Sequence, residues 1–441
     1  MSPYLLLFLP LISSLVCLLI NFKKADFWIF TVTCFGLLCL TFKISFDLFK
    51  EQTPIQSDVG MGILSVPTEY YFDSLSLFFL ASILLSRLVI SFFCDSNIRK
   101  DPKRHNCRQF YCVSLFNLFA LVGILSTNNI FNLFIYIEIF CLTFASTMAI
   151  SGDFEICKSS FRYFCKSAIS SILLLLSFVL LYISSGSFKI NEISNLSAIG
   201  NTALIFSMIM IAVLLKFFSF GIYFIFLKSK DPMANFLTYF SFSIGGLIGS
   251  YLLISFFTIL LGINSSFYYV CIVIGFCLVI YASYKMLRDD NLKSAMIHIS
   301  LMSLGLAAAG HGFFKEEAFH AVMVYVINSL LMGFLLLIFM LPVVKKISNS
   351  HFPNFSELNA DKLSKENWIY KLFSWFVIII LSNYPVYFMF WASWELVIMA
   401  FNTDISLFII ALIMLSKIVM AVLLVNILRG NNPKMKLFSN Y

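Results

Sequence analysis

The chain has 441 residues, of which 60% are hydrophobic and only 12% charged, with a net charge of +8. A soluble domain carries roughly 25% charged residues, so this composition excludes a water-soluble globular enzyme. With a mean hydropathy of +0.93, it fits a chain whose solvent is lipid.

Hydrocarbon cannot hydrogen-bond a free peptide group, so apolar runs of about 20 residues become spanning helices. Read between polar breaks, such runs fall near 4–21, 27–45, 72–93, 110–126, 130–150, 166–185 and 203–226. Others follow near 234–261, 267–285, 294–313, 318–343, 368–400 and 405–427. The first run has no basic leader and no small-x-small cleavage site, so it reads as a retained helix and not as a removed signal peptide. The span at 368–400 is too long for one straight helix, and Ser382-Asn383-Tyr384-Pro385 interrupts it. Proline removes an amide donor and clashes with the preceding turn. This span therefore reads as two half-helices, a device found where membrane helices line a cavity or a transport site.

The loops alternate in charge. Lys23 and Lys24 mark the first loop, and Arg99, Lys100, Lys103, Arg104 and Arg108 mark the third. The remaining odd-numbered loops and the C-terminal tail are basic too, while the second loop is acidic, with Asp47, Glu51, Asp58 and Glu69. The positive-inside rule then puts the odd loops and the C-terminus in the cytoplasm and the N-terminus outside. Topology and contact with anionic lipid account for the net charge without any nucleic acid. No cysteine sits in a C-x-x-C pair, and most fall in apolar runs where a free thiol packs as a small hydrophobe. No metal site, nucleotide motif, flavin motif or quinone motif is evident, so no cofactor is expected.

Charges far from a helix end cost at least about 2.5–3.5 kcal/mol each and are functional candidates by default. Four pass that filter: Glu138, Lys216, Glu395 and Lys417. Arg87, about two turns from a helix end, is expected to snorkel to the interface. Ser219 and Tyr223 follow Lys216 at helical spacing, with Gly221 between them, as a polar stripe that can hold water. His298 shares a face with Ser294 and Asn291, and an imidazole titrates near neutral pH, which adds it to the candidates for ion or proton translocation. Glu395 and Lys417, lone charges on consecutive spans, are expected to be neighbours. Glu138 and Lys216 are either a structural ion pair or a pair that exchanges partners and protons. No residue is a candidate for covalent catalysis.

These residues resemble the antiporter-like membrane subunits shared by respiratory complex I and Mrp-type cation/proton antiporters. Phe72-Asp73-Ser74-Leu75-Ser76 is similar to the family's Asp-Gly-Leu-Ser helix opening, and the segment Ser126 to Glu138 to the one that ends in its functional glutamate. Arg162-Tyr163-Phe164, then Ser170-Ser171 and a leucine run, resembles the family's sixth-helix signature. Leu215-Lys216 resembles its seventh-helix lysine, and Asp290-Asn291-Leu292-Lys293, closing at Gly305, its D-x-L-K…G segment. The resemblance implies that Lys216 pairs with Glu138. It also exposes departures: the family's other lysine and histidine positions fall on Leu247, Ser329, Met332 and Ser393. The pattern is that of a divergent member that keeps the first-half pair.

The expected fold is an all-α polytopic membrane protein of about 13–14 transmembrane helices, with inverted repeats and a discontinuous helix near residue 385. It forms a single transmembrane domain over 1–441, with an antiporter-like core at 70–345 and the broken and last helices at 368–427. The leading functional reading is a D-type membrane component of a Mrp-type Na⁺ or K⁺/H⁺ antiporter in a bacterial inner membrane, acting with other membrane subunits. A proton-translocating component of NADH:quinone oxidoreductase, of the chain 4 or N type, shares the fold; its redox centres would lie in partner subunits. A non-transporting scaffold is the alternative from another class. A polyprenyl-sugar flippase or glycosyltransferase fits less well, for want of a large loop with paired carboxylates.

Overall fold

A computed structural model describes residues 4–20, 24–51, 55–59, 68–98, 107–150, 154–193, 202–217, 267–288, 292–311, 388–401 and 406–429, with a few positions in 244–255 and residue 324. The chain divides into two compact units, Met1–Asn264 and Ser265–Tyr441.

In the first unit the helices are α1 (Tyr4–Leu19), α2 (Ala25–Glu51), α3 (Ser74–Ile98), α4 (Cys107–Ser126), α5 (Ile130–Ala149), α6 (Phe154–Ser185), the single turn α7 (Ile190–Ile193) and α8 (Thr202–Phe217). Four helices are long and apolar enough to cross a membrane by length and composition: those over Ala25–Lys50, Arg108–Ser126, Ile130–Ala149 and Cys157–Ser185. The helix α6 starts about three turns before the expected 166. Lys158, Arg162 and Lys166 end an apolar run, yet lysine and arginine are good helix formers, so the helix continues past the apolar edge.

Burial follows the helical period. On α5, Ile130, Leu133, Ile137, Phe140, Cys141, Phe144 and Met148 face inward, while Phe131, Ile135 and Leu142 face out. Outward-facing large apolar side chains are what a lipid solvent permits and water does not. Helix starts are fixed by local polar chemistry. Asn129 caps α5, its side chain accepting from the amides of Phe131 (2.9 Å) and Asn132 (3.3 Å). Asp73 and Ser76 cap α3 reciprocally: the Ser76 amide donates to Asp73 Oδ1 (2.7 Å) and the Asp73 amide to Ser76 Oγ (3.0 Å). Where α4 meets α5, Gly123 leaves room for the Tyr136 ring, with which any Cβ at that position would collide.

The acidic second loop holds a feature the apolar pattern did not reveal. Strands β1 (Ile55–Val59) and β2 (Thr68–Phe72) pair antiparallel, Ile55 opposite Phe72 and Val59 opposite Thr68. Tyr70 bridges on to Thr127, and Asn129 to Lys189. The Asn128 amide donates to the Glu69 carbonyl (3.2 Å), and the Asn128 carbonyl accepts from the Ile190 amide (2.8 Å). Lys189 forms ion pairs with Glu69 and, at 3.7 Å, with Glu192. The Glu69 carboxylate holds the Lys189 ammonium above its ordinary value. The second, fourth and sixth loops thus meet at one end of the first unit, as the alternation of basic and non-basic loops requires of segments on the same side.

In the second unit, α9 (Phe267–Arg288) packs closely on α10 (Leu292–His311), and α11 (Phe388–Phe401) and α12 (Ser406–Arg429) complete the described helices. The α9–α10 contact is built on small residues, as membrane helix pairs favour: a Cβ on Gly275 would come within 2.5 Å of the Gly305 carbonyl and 2.7 Å of the Ala309 nitrogen. The span expected to be broken is described only from Phe388 onward, so Pro385 and its neighbours lie outside the described residues, as do the spans expected at 318–343 and most of 234–261.

Candidate functional site

The site is assembled by α5, α6 and α8. Lys216 is carried by α8 and its side chain is 0% exposed. Its ammonium Nζ lies 2.5 Å from Glu138 Oε1 on α5 and 2.6 Å from Ser171 Oγ on α6. Ser171 donates to the Ser167 carbonyl (2.8 Å) within its own helix, so its oxygen is left to accept from the lysine. One turn back on α8, the Ala212 carbonyl accepts from Ser170 Oγ (2.6 Å), which clips α6 to α8 and sets the height of Lys216.

The two charges are unequally placed. The Glu138 side chain is 32% exposed while the lysine is sealed. A lysine this deep is tolerated because two oxygens receive its protons; without them the desolvation cost would be several kcal/mol. Near Glu138, one turn along α5, Cys141 accepts a hydrogen bond from Tyr163 (3.4 Å), and Phe140 packs on Phe217 at 5.7 Å between centroids. A polar column of Tyr163, Ser167, Ser170 and Ser171 follows one face of α6 up to the lysine.

A second buried polar cluster lies in the same unit and corrects an expectation. Arg87 does not snorkel: it is 7% exposed, and its Nη2 donates to Asn117 Oδ1 at 2.5 Å. The Asn117 amide donates in turn to Thr143 Oγ1 (2.7 Å) and the Phe140 carbonyl (3.4 Å). Asn117, on the next helix, offers a carbonyl at membrane depth, so the guanidinium finds a partner without reaching the interface. It tethers α3 through α4 to α5, just beyond Glu138.

In the second unit His298 is fully buried on α10, Lys417 half-buried on α12, and Glu395 exposed on α11 beside the exposed Trp391 and Trp394. Ser393, the position of the family's last lysine, is buried. Among the described residues the ion pairs are those of Lys216 and Lys189, so Glu395 and Lys417, expected to be neighbours, do not pair with each other by charge. Glu395 lies on the exposed face of its helix. Ser219, Gly221 and Tyr223 beyond Lys216, Asn291 beside His298, and Leu247, Ser329 and Met332 lie outside the described residues. Ser171 is the site residue that charge-counting passed over, because a serine in an apolar run carries no cost that marks it. Among the described residues no group of three or more His, Cys, Asp or Glu could hold a metal.

With this geometry in view, the comparisons are specific at the level of family. The NADH:quinone oxidoreductase/Mrp antiporter transmembrane family matches residues 127–420, a stretch that contains Glu138, Lys216, His298, Glu395 and Lys417. A Staphylococcus aureus (strain MRSA252) protein named as an antiporter subunit, mnhA2, is 25% identical over 284 residues, 60% of this chain. Its counterpart in Staphylococcus haemolyticus (strain JCSC1435) is 23% identical over 256 residues, 56% of this chain. The chain spans about a third of the length of these relatives, 34% and 31%. Among solved structures, a chain of the archaeal membrane-bound sulfane sulfur reductase superposes with a TM-score of 0.78 at 16% identity, covering 97% of this chain and 87% of that one. A chain of respiratory complex I from Thermus thermophilus gives 0.75 at 12% identity, with 97% and 88% covered. One of the Mrp complex from Dietzia sp. gives 0.73 at 16%, with 97% and 79% covered. At these identities the superpositions speak for the fold alone; the family rests on the match across 127–420. An integral, multi-pass membrane protein, the chain belongs to the NADH:quinone oxidoreductase/Mrp antiporter transmembrane family.

Proposed function

We propose that this chain is an ion-translocating membrane component of a multisubunit monovalent cation/proton antiporter, and that Glu138 and Lys216 are its transport pair. The observation that carries this reading is the sealed Lys216 ammonium held between Glu138 Oε1 and Ser171 Oγ. A carboxylate that is part-exposed can leave and return, and the lysine then loses and regains a partner; Ser171 stays as the second acceptor through the exchange. His298 on α10 and Lys417 on α12 are candidates for continuing the route in the second unit, and Glu395 for a contact made through another subunit. The working partners are other membrane subunits, H⁺ and Na⁺ or K⁺. The relatives that match carry the name mnhA2, so the D-type assignment rests on the residue resemblance alone. Proton translocation within an NADH:quinone oxidoreductase uses the same fold and the same pair. A scaffold without transport is favoured by Leu247, Ser329 and Met332 at positions where the family carries lysine or histidine.

The test is cation-dependent proton flux in vesicles that hold the complete complex. Glu138→Ala is expected to abolish it and Glu138→Asp to keep a fraction, since aspartate retains the charge but shortens the reach. Equal flux in wild type and Glu138→Ala would leave the scaffold reading standing.

The basic loops further place the N-terminus outside and the C-terminus in the cytoplasm under this reading. A single cysteine introduced at Arg104 into an otherwise cysteine-free protein is expected to resist an impermeant thiol reagent added to intact cells, and to react once the membrane is opened. Ready labelling from outside would reverse the orientation.

A further inference from the structure

Cys17 and Cys112 are far apart in sequence, yet the fold sets them on two helices packed against each other, α1 and α4. Ser14, one turn before Cys17 on α1, donates through Oγ to the Cys112 carbonyl (2.9 Å). Arg108, one turn before Cys112 on α4, donates through Nε to the Cys17 carbonyl (3.2 Å). These two bonds cross: the earlier residue of α1 meets the later one of α4, and the later meets the earlier. The helices therefore run antiparallel here, with the two cysteines at one level. Both cysteines are buried where these facing helices cross. Cys17 lies two residues from the end of α1, so the pair sits close to the rim of the bundle.

We propose that Cys17 and Cys112 form a redox modification site at which a peroxide closes a disulfide between α1 and α4. A thiol attacks hydrogen peroxide, breaking its O–O bond, to give a sulfenic acid and one water. The second thiol then displaces the hydroxyl from sulfur, forming the S–S bond and releasing a second water. Two thiols are oxidised by two electrons and one peroxide is reduced to two waters. Peroxide is small and neutral, which suits a buried pair close to the rim, whereas a bulky disulfide reagent would be excluded. A solitary buried thiol behaves as a small hydrophobe. The pair lies outside the stretch 127–420 matched by the family, so the proposal stands apart from the transport reading.

The experiment treats the full-length protein in membranes with hydrogen peroxide, then denatures it and counts free thiols with a maleimide-polyethylene glycol. Wild type is expected to lose two adducts, to regain both with dithiothreitol, and to yield by mass spectrometry without reductant a peptide joining Cys17 to Cys112. In Cys112→Ala that peptide is absent and the paired loss disappears. The proposal is overturned if wild type retains both thiols, or if the recovered disulfide joins other cysteines. The linked-peptide measurement on wild type needs no variant to fold.

Discussion

Replacing Lys216 by arginine is expected to cut cation-dependent proton flux by at least about a hundredfold, the scale of a lost proton-transfer group, while most of the protein still folds and assembles. The geometry makes this the sharpest discrimination between a relay and a fixed charge. Arginine can occupy the place of the ammonium, keep its positive charge and donate to both Glu138 Oε1 and Ser171 Oγ, so the electrostatics of the pair survive. What it cannot do is release a proton at any relevant pH. A structural ion pair would tolerate the change and a proton relay would not. Flux is measured in vesicles holding the complete complex and normalised to the amount of assembled protein, which separates lost chemistry from lost folding. Overpacking a site whose lysine is already 0% exposed is expected to cost about 1–3 kcal/mol. An active Lys216→Arg complex would end the relay reading and leave Lys216 as a fixed positive charge.

What the sequence made legible were the elements and residues whose environment is uniform. A run of apolar residues has one solvent, so the spans at 130–150 and 267–285 were readable and the structure places helices at Ile130–Ala149 and Phe267–Arg288. A charge in the middle of such a run has an obvious cost, which is why Glu138 and Lys216 stood out before any contact was known. That they meet across 78 positions was implied by the family resemblance, because depth alone matches any buried acid to any buried base. Arg87 shows the limit. Its distance from a helix end predicted snorkelling, but Asn117, 30 positions away on a different helix, holds it in place. The same limit applies to Glu395 and Lys417, where consecutive spans carry opposite charges that do not pair. The β1–β2 hairpin was missed for another reason. Its contacts are with the loops, Tyr70 bridging to Thr127 and Glu69 pairing with Lys189, so its own residues read only as an acidic connection.

These tertiary polar contacts also define how the proposed transport pair is held. Two separate tethers reach the helices that carry it: Arg87 and Asn117 run from α3 through α4 to α5, and Ser170 clips α6 to the α8 backbone. The end at which β2, the 127–130 turn and the 187–191 segment interlock fixes the start of α5 through Asn129. Glu138 is therefore on a helix pinned at its start and beyond its middle, with its carboxylate still part-exposed. In the proposed exchange it is the Glu138 side chain, not its helix, that moves.

The unequal burial of the two partners yields a directional prediction for stability. Glu138→Gln keeps the volume and one acceptor oxygen but removes the charge, and it leaves a fully sealed ammonium with neutral partners only. Breaking a buried pair in this way costs about 3–5 kcal/mol. Lys216→Met is expected to cost well under that, since methionine fills the lysine's apolar path and the stranded carboxylate, at 32% exposed, can take up water. Combining the two changes removes both charges, and the double variant is expected to recover most of what Glu138→Gln loses. Resistance of the purified protein to graded denaturing detergent measures all three against wild type. The order expected is wild type, then the double variant and Lys216→Met close together, then Glu138→Gln lowest by a clear margin. Strictly additive losses in the double variant would mean that the two side chains are not coupled. Glu138→Gln as resistant as wild type would mean that Lys216 draws its support from Ser171 and its other surroundings, and the carboxylate would then be free to move without the fold depending on it.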